Sequence, residues 1–201
     1  MKILIPGIDG YIGWPLALHQ LSLGNEVCGI DNFSRRKHVK EMGSWSALPI
    51  LSIDERMKNL KEKYSEKISF FEGDLLNAQF TNDVLKKFQP DAIVHLAEQS
   101  SAPYSMIDQE HTIYTQQNNV MGTLNLLFAI KNFAPKTHLV KLGTMGEYGY
   151  ESGLEITEGF FEIEFRGKKG TIPYPRQAGS WYHWTKVHDS NNIMFACKLW
   201  G

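Results

Sequence analysis

The stretch YPRQAGSWYHWTKVHDSNN, residues 174 to 192, sets a phenol, an imidazole and an ammonium within little more than one helical turn: Tyr182, His183 and Lys186. Residues at i and i+4 share one helix face, so the Lys charge sits beside the phenol and favours its ionised form. A Tyr tuned in that way can take a proton from a hydroxyl. Composition alone would supply about 0.6 Tyr-x-x-x-Lys pairs in a chain like this, so the surroundings must decide. Trp181 and Trp184, on either side, read as packing residues. His183 and His188 are five apart and turn off a common helix face, and no HExxH or Cys/His cluster exists, so no metal is expected.

A second constellation lies at the amino terminus. GIDGYIG places Gly7, Gly10 and Gly13 after a strand-like run and at the mouth of an apolar helix. Glycine permits the tight turn and lets backbone N–H groups and the helix N-terminus approach a pyrophosphate. The intervening Asp9, Tyr11 and Ile12 would share that contact. Asp31 ends the second strand-like run, where a carboxylate can take both ribose hydroxyls and repel a 2′-phosphate, favouring NAD over NADP. Asn32 follows it. Arg35 and Arg36 bring guanidinium groups that could bind a 2′-phosphate, stack on adenine or reach the pyrophosphate. Asp74 and Leu75, past the third strand, read either as an adenine contact or as an ordinary helix cap. A bound nicotinamide would add positive charge near Tyr182. Bringing that phenol from ~10 to near 7 requires roughly 4 kcal/mol from such neighbours.

The elements that must position these groups follow a regular rhythm. KILIP (2–6), EVCGID (26–31), ISFFEGD (68–74), DAIVHLA (91–97) and THLVKLG (137–143) are short and rich in β-branched or aromatic residues. Helical patterns lie between them over about 11–23, 53–65, 80–88 and 111–133, the second opened by the capping box Ser52-x-x-Glu55. Such alternation predicts an α/β fold, a parallel sheet with helices on both faces. Thr144 then stands at the end of the fifth strand, the edge where open α/β sheets place their chemistry.

Two segments break the rhythm. NFSRRKHVKEMGSWSALPILS after Asp31 is too polar and irregular for one helix. Around 150–175 an inserted hairpin is expected, with FFEIEF alternating and RGKKGT turning, either a surface decoration or a lid. MFACKLWG continues the Tyr182 helix, and the chain stops there, which suggests a segment of a longer protein.

Bulk properties exclude several classes. A formal charge of −1 gives no electrostatic footprint for nucleic acid or an anionic membrane. No run approaches a membrane span, and Pro6, Gly7, Asp9 and Gly10 break the opening apolar run before a signal peptide could form. Cys28 and Cys197 make no framework of bridges, which fits a reducing, cytoplasmic setting.

Three glycines, Asp31, Thr144 and the Tyr182–Lys186 pair, in this order, resemble the extended short-chain dehydrogenase/reductase family. HLA at 95–97 and NNVMGTLNLL at 118–127 are similar to its further signatures, so the resemblance spans essentially the whole chain. It implies a Rossmann-type, doubly wound NAD-binding domain over 1–201, with the nucleotide-binding part of the substrate site beyond Gly201. It also implies NAD contacts from Leu96, Ala97, Gln99 and Asn118, a scaffold role for Asn119, and a homodimer. Sugar 4,6-dehydratases of the family read Thr-Asp-Glu-x-Tyr-Gly after the fifth strand, and 4-epimerases Ser-Ser-x-x-Val-Tyr-Gly. TMGEYG here is neither. With AEQSSAPYSMID and YHWTKVHDSNNIMFACKLWG it is similar to the branch that builds a sulfonated sugar from UDP-glucose and sulfite. That likeness implies Glu147 and His183 as an extra acid and base, with the division between them open. Ser100 stands where that branch often has Arg, which places one anion contact in question. The competing readings are an NDP-hexose 4-epimerase or 4,6-dehydratase, and a catalytically silent dinucleotide-binding module.

Overall fold

A computed structural model describes residues 1–149, 156 and 160–201. Five strands, β1 (Lys2–Pro6), β2 (Glu26–Asp31), β3 (Ile68–Glu72), β4 (Ala92–His95) and β5 (His138–Lys141), form one sheet in the order β3-β2-β1-β4-β5. Every neighbouring pair is parallel. Helices cover both faces, as strand-helix alternation requires. Side chains of β1 alternate between two cores. Leu4 joins Ile30, Ile93, Leu85, Phe88 and Leu126 beneath α4 (Ala78–Phe88) and α7 (Gly122–Phe133). Ile3 and Ile5 join Val27, Ala17, Leu21, Met57 and Leu60 beneath α1 (Gly13–Ser22) and α3 (Ile53–Tyr64). Burial on both faces explains why these strands read as nearly unbroken apolar runs.

The order places the switch in winding direction between β1 and β4, so a crevice opens there at the carboxyl edge of the sheet. Local signals set the helix ends that border it. The expected capping box of α3 forms: Glu55 N donates to Ser52 Oγ at 3.3 Å, and Ser52 N to Glu55 Oε2 at 3.0 Å. Ser180 caps the N-terminus of α8 (Trp181–Trp200), its Oγ accepting from His183 N at 3.2 Å.

The polar segment after Asp31 is not one helix, as expected, but it holds a short one, α2 (Ser34–Glu41). It lacks apolar periodicity because it docks through rings: His38 lies 4.6 Å from Tyr104 and 5.0 Å from Tyr114, centroid to centroid. The long helix expected over 111–133 is α6 (Gln109–Gln116) and α7 joined by a π-helical turn, Gln117–Met121. A short α5 (Ala102–Ser105) precedes it. The extra residue in a π turn re-aims neighbouring side chains. Here it lets consecutive Asn118 and Asn119 both turn inward and become buried.

The hairpin pairs β6 (Phe160–Phe165) with β7 (Lys168–Pro173). Arg166 and Gly167 make its turn with φ of 52° and 74°, both in the left-handed region that a two-residue hairpin favours. Residues 150–155 and 157–159 of the expected insertion lie outside the described residues. No helix among those described is long and apolar enough to cross a membrane.

Candidate active site

A cleft of about 460 Å³ opens at the switch point. The β1–α1 turn forms its floor. Gly7 sits at φ 87°, and a Cβ there would stand 2.6 Å from the Leu96 carbonyl carbon. One on Gly13 would overlap the Gly7 carbonyl and stand 2.8 Å from Ile8 Cα. The backbone can therefore close this tightly only with glycine. No side chain caps α1, so its first N–H groups remain available to an anion. Gly10, Tyr11 and Ile12 line the cleft beside it, as do Leu96 and Ala97.

Asp31 lines the cleft at the end of β2. Its Oδ2 accepts from Asp9 N and its Oδ1 from Phe33 N, each at 2.8 Å, which fixes the carboxylate while leaving acceptor capacity on both oxygens. Burial pushes this group up, and the two backbone donors oppose that shift. Asp74 also lines the cleft and accepts from Asn32 Nδ2 at 2.8 Å. It is not the cap of α4, a role that Asn77 fills through Phe80 N at 3.1 Å. Leu75, Asn32 and Arg35 complete this end.

Two expected cofactor contacts are placed elsewhere. Arg36 lies outside the cleft lining, because it grips Asp9 with both Nε (2.5 Å) and a terminal nitrogen (2.8 Å). Arg56, which sequence reasoning missed, adds a third contact to Asp9 at 3.1 Å. Asp9 thus touches the cleft as the anchor of two arginines. The Gln99 side chain is also turned inward, with its Nε2 donating to Thr115 Oγ1 at 3.0 Å and to Ser101 O at 2.9 Å. Asn119 ties this region together: its Oδ1 accepts from Gln99 N at 2.8 Å, and its Nδ2 donates to Gln99 O at 3.0 Å and Thr185 Oγ1 at 2.9 Å. That leaves Asn118 as the member of the pair that lines the cleft.

Tyr182 and Lys186 line the far end, with Lys186 Nζ 5.7 Å from the Tyr182 ring centroid. Lys186 donates to Leu142 O at 2.7 Å and also to Glu98 Oε2. The expected tuning of the phenol is therefore absent in this geometry. Burial foremost, and after it the Glu98 carboxylate, push Tyr182 up; Lys141 opposes them and Glu147 adds to the rise. Glu98 is a buried counter-ion that offsets the Lys186 part of the expected tuning, and the nicotinamide part stands as an expectation.

Thr144, Glu147 and His183 lie outside the cleft lining and meet at a 3₁₀ turn, Met145–Glu147, just past the lining residue Gly143. Thr144 Oγ1 caps the turn by accepting from Gly146 N at 3.2 Å, and Glu147 Oε1 accepts from Thr144 N at 3.3 Å. Glu147 is 4% exposed, and Ser190 Oγ donates to its Oε2 at 3.0 Å, with Arg176 Nε 3.6 Å away. His183 stacks on Gly146, where a Cβ would stand 2.8 Å from the ring Cγ and closer still to Cδ2 and Nε2. Its Nδ1 is 3.0 Å from Ser180 Oγ, and burial pushes the imidazole down, towards its neutral form. A glycine is the only residue that lets this ring reach the turn. His95, another lining residue, is driven down to about 3 by burial and is 3.2 Å from Thr123 Oγ1. Among the described residues no group of three or more His, Cys, Asp and Glu could hold a metal ion.

A parallel sheet whose crevice carries a glycine-floored turn at one end and a Tyr–Lys helix at the other is the architecture of extended short-chain dehydrogenases/reductases. The chain belongs to the family described as GDP-mannose 4,6 dehydratase, whose model matches residues 4–174. Among curated proteins it is 48% identical over 200 residues to the chloroplastic UDP-sulfoquinovose synthase of Spinacia oleracea, covering 100% of this chain and 41% of that protein. It is 47% identical over 202 residues to the UDP-sulfoquinovose synthase of Sulfolobus acidocaldarius, covering 100% of this chain and 51% of the relative. The chain thus spans about half the length of these relatives or less. Among solved structures, the UDP-Glc/GlcNAc 4-epimerase of Campylobacter jejuni aligns with a TM-score of 0.74 at 22% identity, covering 98% of this chain and 49% of that one. The UDP-glucose 4-epimerase of Brucella ovis in complex with NAD aligns at 0.69 and 20% identity, covering 100% and 49%. At these identities the structural likeness establishes the fold.

Proposed function

We propose that this chain is the NAD-binding and catalytic half of a UDP-sulfoquinovose synthase that converts UDP-glucose and sulfite. The observation that carries this reading is the cluster at the 3₁₀ turn. Besides Thr144, Tyr182 and Lys186, which suffice for alcohol oxidation, it brings a carboxyl (Glu147) and a neutral imidazole (His183) to the same turn. The identity to two curated synthases over the full chain supports it.

The cleft fits a dinucleotide. Gly7, Gly10, Gly13 and the open N-terminus of α1 would take the diphosphate, Asp31 the adenosine ribose, and Asp74 with Leu75 the adenine. With Arg36 held by Asp9, only Arg35 of the two arginines faces the cleft, which favours NAD over NADP. Bound NAD would supply reversible hydride acceptance at C4 of the sugar. Tyr182 takes the proton of the C4 hydroxyl, and Thr144 holds that hydroxyl. A C4 ketone acidifies the proton on C5. Glu147 and His183 then divide two tasks, removing that proton and protonating the C6 hydroxyl so that it leaves as water. Sulfite adds to C6 of the resulting enone, C5 regains a proton, and reduction restores the C4 alcohol. Two free thiols, Cys28 and Cys197, suit a reducing compartment such as the cytoplasm. Exposed Phe128, Phe195 and Leu199 on α7 and α8 would give a homodimer an apolar surface to bury.

The full-length protein, incubated with UDP-glucose and sulfite, is expected to yield a sulfonated nucleotide sugar by mass spectrometry. UDP-galactose or a 4-keto-6-deoxy sugar formed without sulfite would point to an epimerase or a dehydratase, and no product to a silent module. Gly146→Ala is expected to push the His183 ring off the turn and lower formation of the sulfonated product about 10²-fold, the scale of a 1 Å misplacement. Unchanged turnover in that variant would remove His183 from the chemistry.

A further inference from the structure

Behind the Tyr182–Lys186 pair lies a buried cluster of charge that the reaction scheme does not use. Glu98, in the loop after β4, contacts Lys186 of α8 with one carboxylate oxygen and Lys141 of β5 with the other. Lys141 Nζ is also 2.9 Å from Asp189 Oδ2, an ion-pair contact without hydrogen-bond alignment. Side-chain exposures are 4% for Glu98, 8% for Lys141, 6% for Lys186 and 1% for Asp189, so water screens little of this charge. Four ionisable groups buried together are costly, and a fold keeps such a set only if each charge is matched.

The matching is uneven. Burial, and then hydrogen bonding with Glu98, push Asp189 up to about 8. The two lysines hold Glu98 well below the usual carboxylate range against its own burial. Glu98 is therefore the carboxylate that serves both ammonium groups, while Asp189 meets only Lys141. Glu98 and Lys186 both line the cleft, and Lys186 is the one beside the Tyr182 ring, so whatever Glu98 takes from its charge is lost to the phenol.

We propose that Glu98, supported by Lys141 and Asp189, is a positioning residue for the Tyr182–Lys186 pair: it holds the Lys186 ammonium at the cleft wall and limits how much of that charge the phenol feels. Lys141 is the counterweight, because it draws Glu98 away from Lys186 and adds its own positive charge. The charged groups facing the pair come from four places: Glu98 after β4, Lys141 in β5, Glu147 in the 3₁₀ turn, and Asp189 on α8. His183 on α8 and His95 in β4 are the neighbouring imidazoles, both driven towards neutrality by burial.

The inference rests on Tyr182 being the proton-transfer group, yet its test needs no turnover. In full-length protein, the ultraviolet titration of the Tyr182 phenol is isolated by difference from Tyr182→Phe. Glu98→Gln is expected to move its midpoint to lower pH and Lys141→Met to higher pH, each by about one unit, a tenfold change in the phenolate equilibrium. Glu98→Gln should still fold, because Asp189 can ionise in its place beside Lys141. A cluster whose charge is spent on packing and does not reach the phenol would leave the midpoint where it is in both variants. A midpoint that is unmoved, or moves the wrong way, in either variant overturns the proposal. If neither variant folds, Asp189→Asn decides. At the alkaline midpoint of the phenol Asp189 is ionised beside Lys141, so its loss leaves Lys141 to draw on Glu98 alone and is expected to move the midpoint to lower pH, by less than Glu98→Gln; an unmoved or raised midpoint would overturn the proposal. Opposite shifts in a protein that forms no sulfonated sugar would reject the proposed reaction and keep the network.

Discussion

Tyr182→Phe is expected to lower turnover of the nucleotide sugar by about 10²- to 10⁴-fold, the usual contribution of a positioned proton-transfer group, with little change in KM. The change removes one oxygen and leaves the ring where it packs, 5.0 Å from the His183 ring by centroids. The backbone contact from Tyr182 N to Ser105 Oγ, 3.0 Å, is untouched, so α8 should keep its place against α5. Dinucleotide affinity, measured by calorimetry, should stay within a few fold, because the glycine turn and Asp31 lie at the other end of the cleft. Full activity in this variant would mean that another group moves the C4 proton.

Gly7→Ala is expected to cost stability and cofactor binding together. Its φ of 87° suits only glycine comfortably, and the added Cβ would stand 2.6 Å from the Leu96 carbonyl carbon and 2.7 Å from its oxygen. Both are backbone atoms at the end of β4, so nothing there can swing aside. A left-handed residue costs roughly 1–2 kcal/mol and overpacking typically 1–3 kcal/mol, so about 2–5 kcal/mol in all is expected. Gly167→Ala separates the two causes: its φ is 74°, but a Cβ there would meet nothing within 4 Å. It should lose only the conformational part and leave dinucleotide affinity unchanged. Thermal denaturation together with titration of NAD reads both variants. Equal losses in the two would show that the close approach to Leu96 does not matter.

The sheet was legible because parallel strands buried on both faces announce themselves as apolar runs, and β1 to β5 fall within the runs that the sequence marks. The cradle was legible for a related reason: Gly7 and Gly13 stand where no Cβ can. Asp31 followed from position at the carboxyl edge of the sheet, and Tyr182 with Lys186 from their i, i+4 spacing; all three line the cleft, and Thr144 stands just outside it. What stayed hidden depends on contacts between segments far apart in the chain. Arg36 looks free to meet a phosphate, but Asp9, 27 residues away, holds it. Glu98 is 88 residues from Lys186, and no local pattern announces a buried counter-ion at that separation. A weak signal existed, an acid directly after a strand end and Asp189 three residues beyond Lys186. Helix α2 escaped because ring stacking on His38, not apolar periodicity, fixes it. The π turn escaped because a single extra residue leaves helical spacing almost unchanged.

The central claim is that one cleft oxidises C4, eliminates water across C5 and C6, and then reduces the same C4 carbon. UDP-glucose carrying deuterium on C4, given with sulfite to the full-length protein, tests it in one mass spectrum. The account predicts a sulfonated nucleotide sugar that retains the label at C4. A sulfonated product that has lost the label, or a labelled UDP-hexose without sulfur, would contradict it.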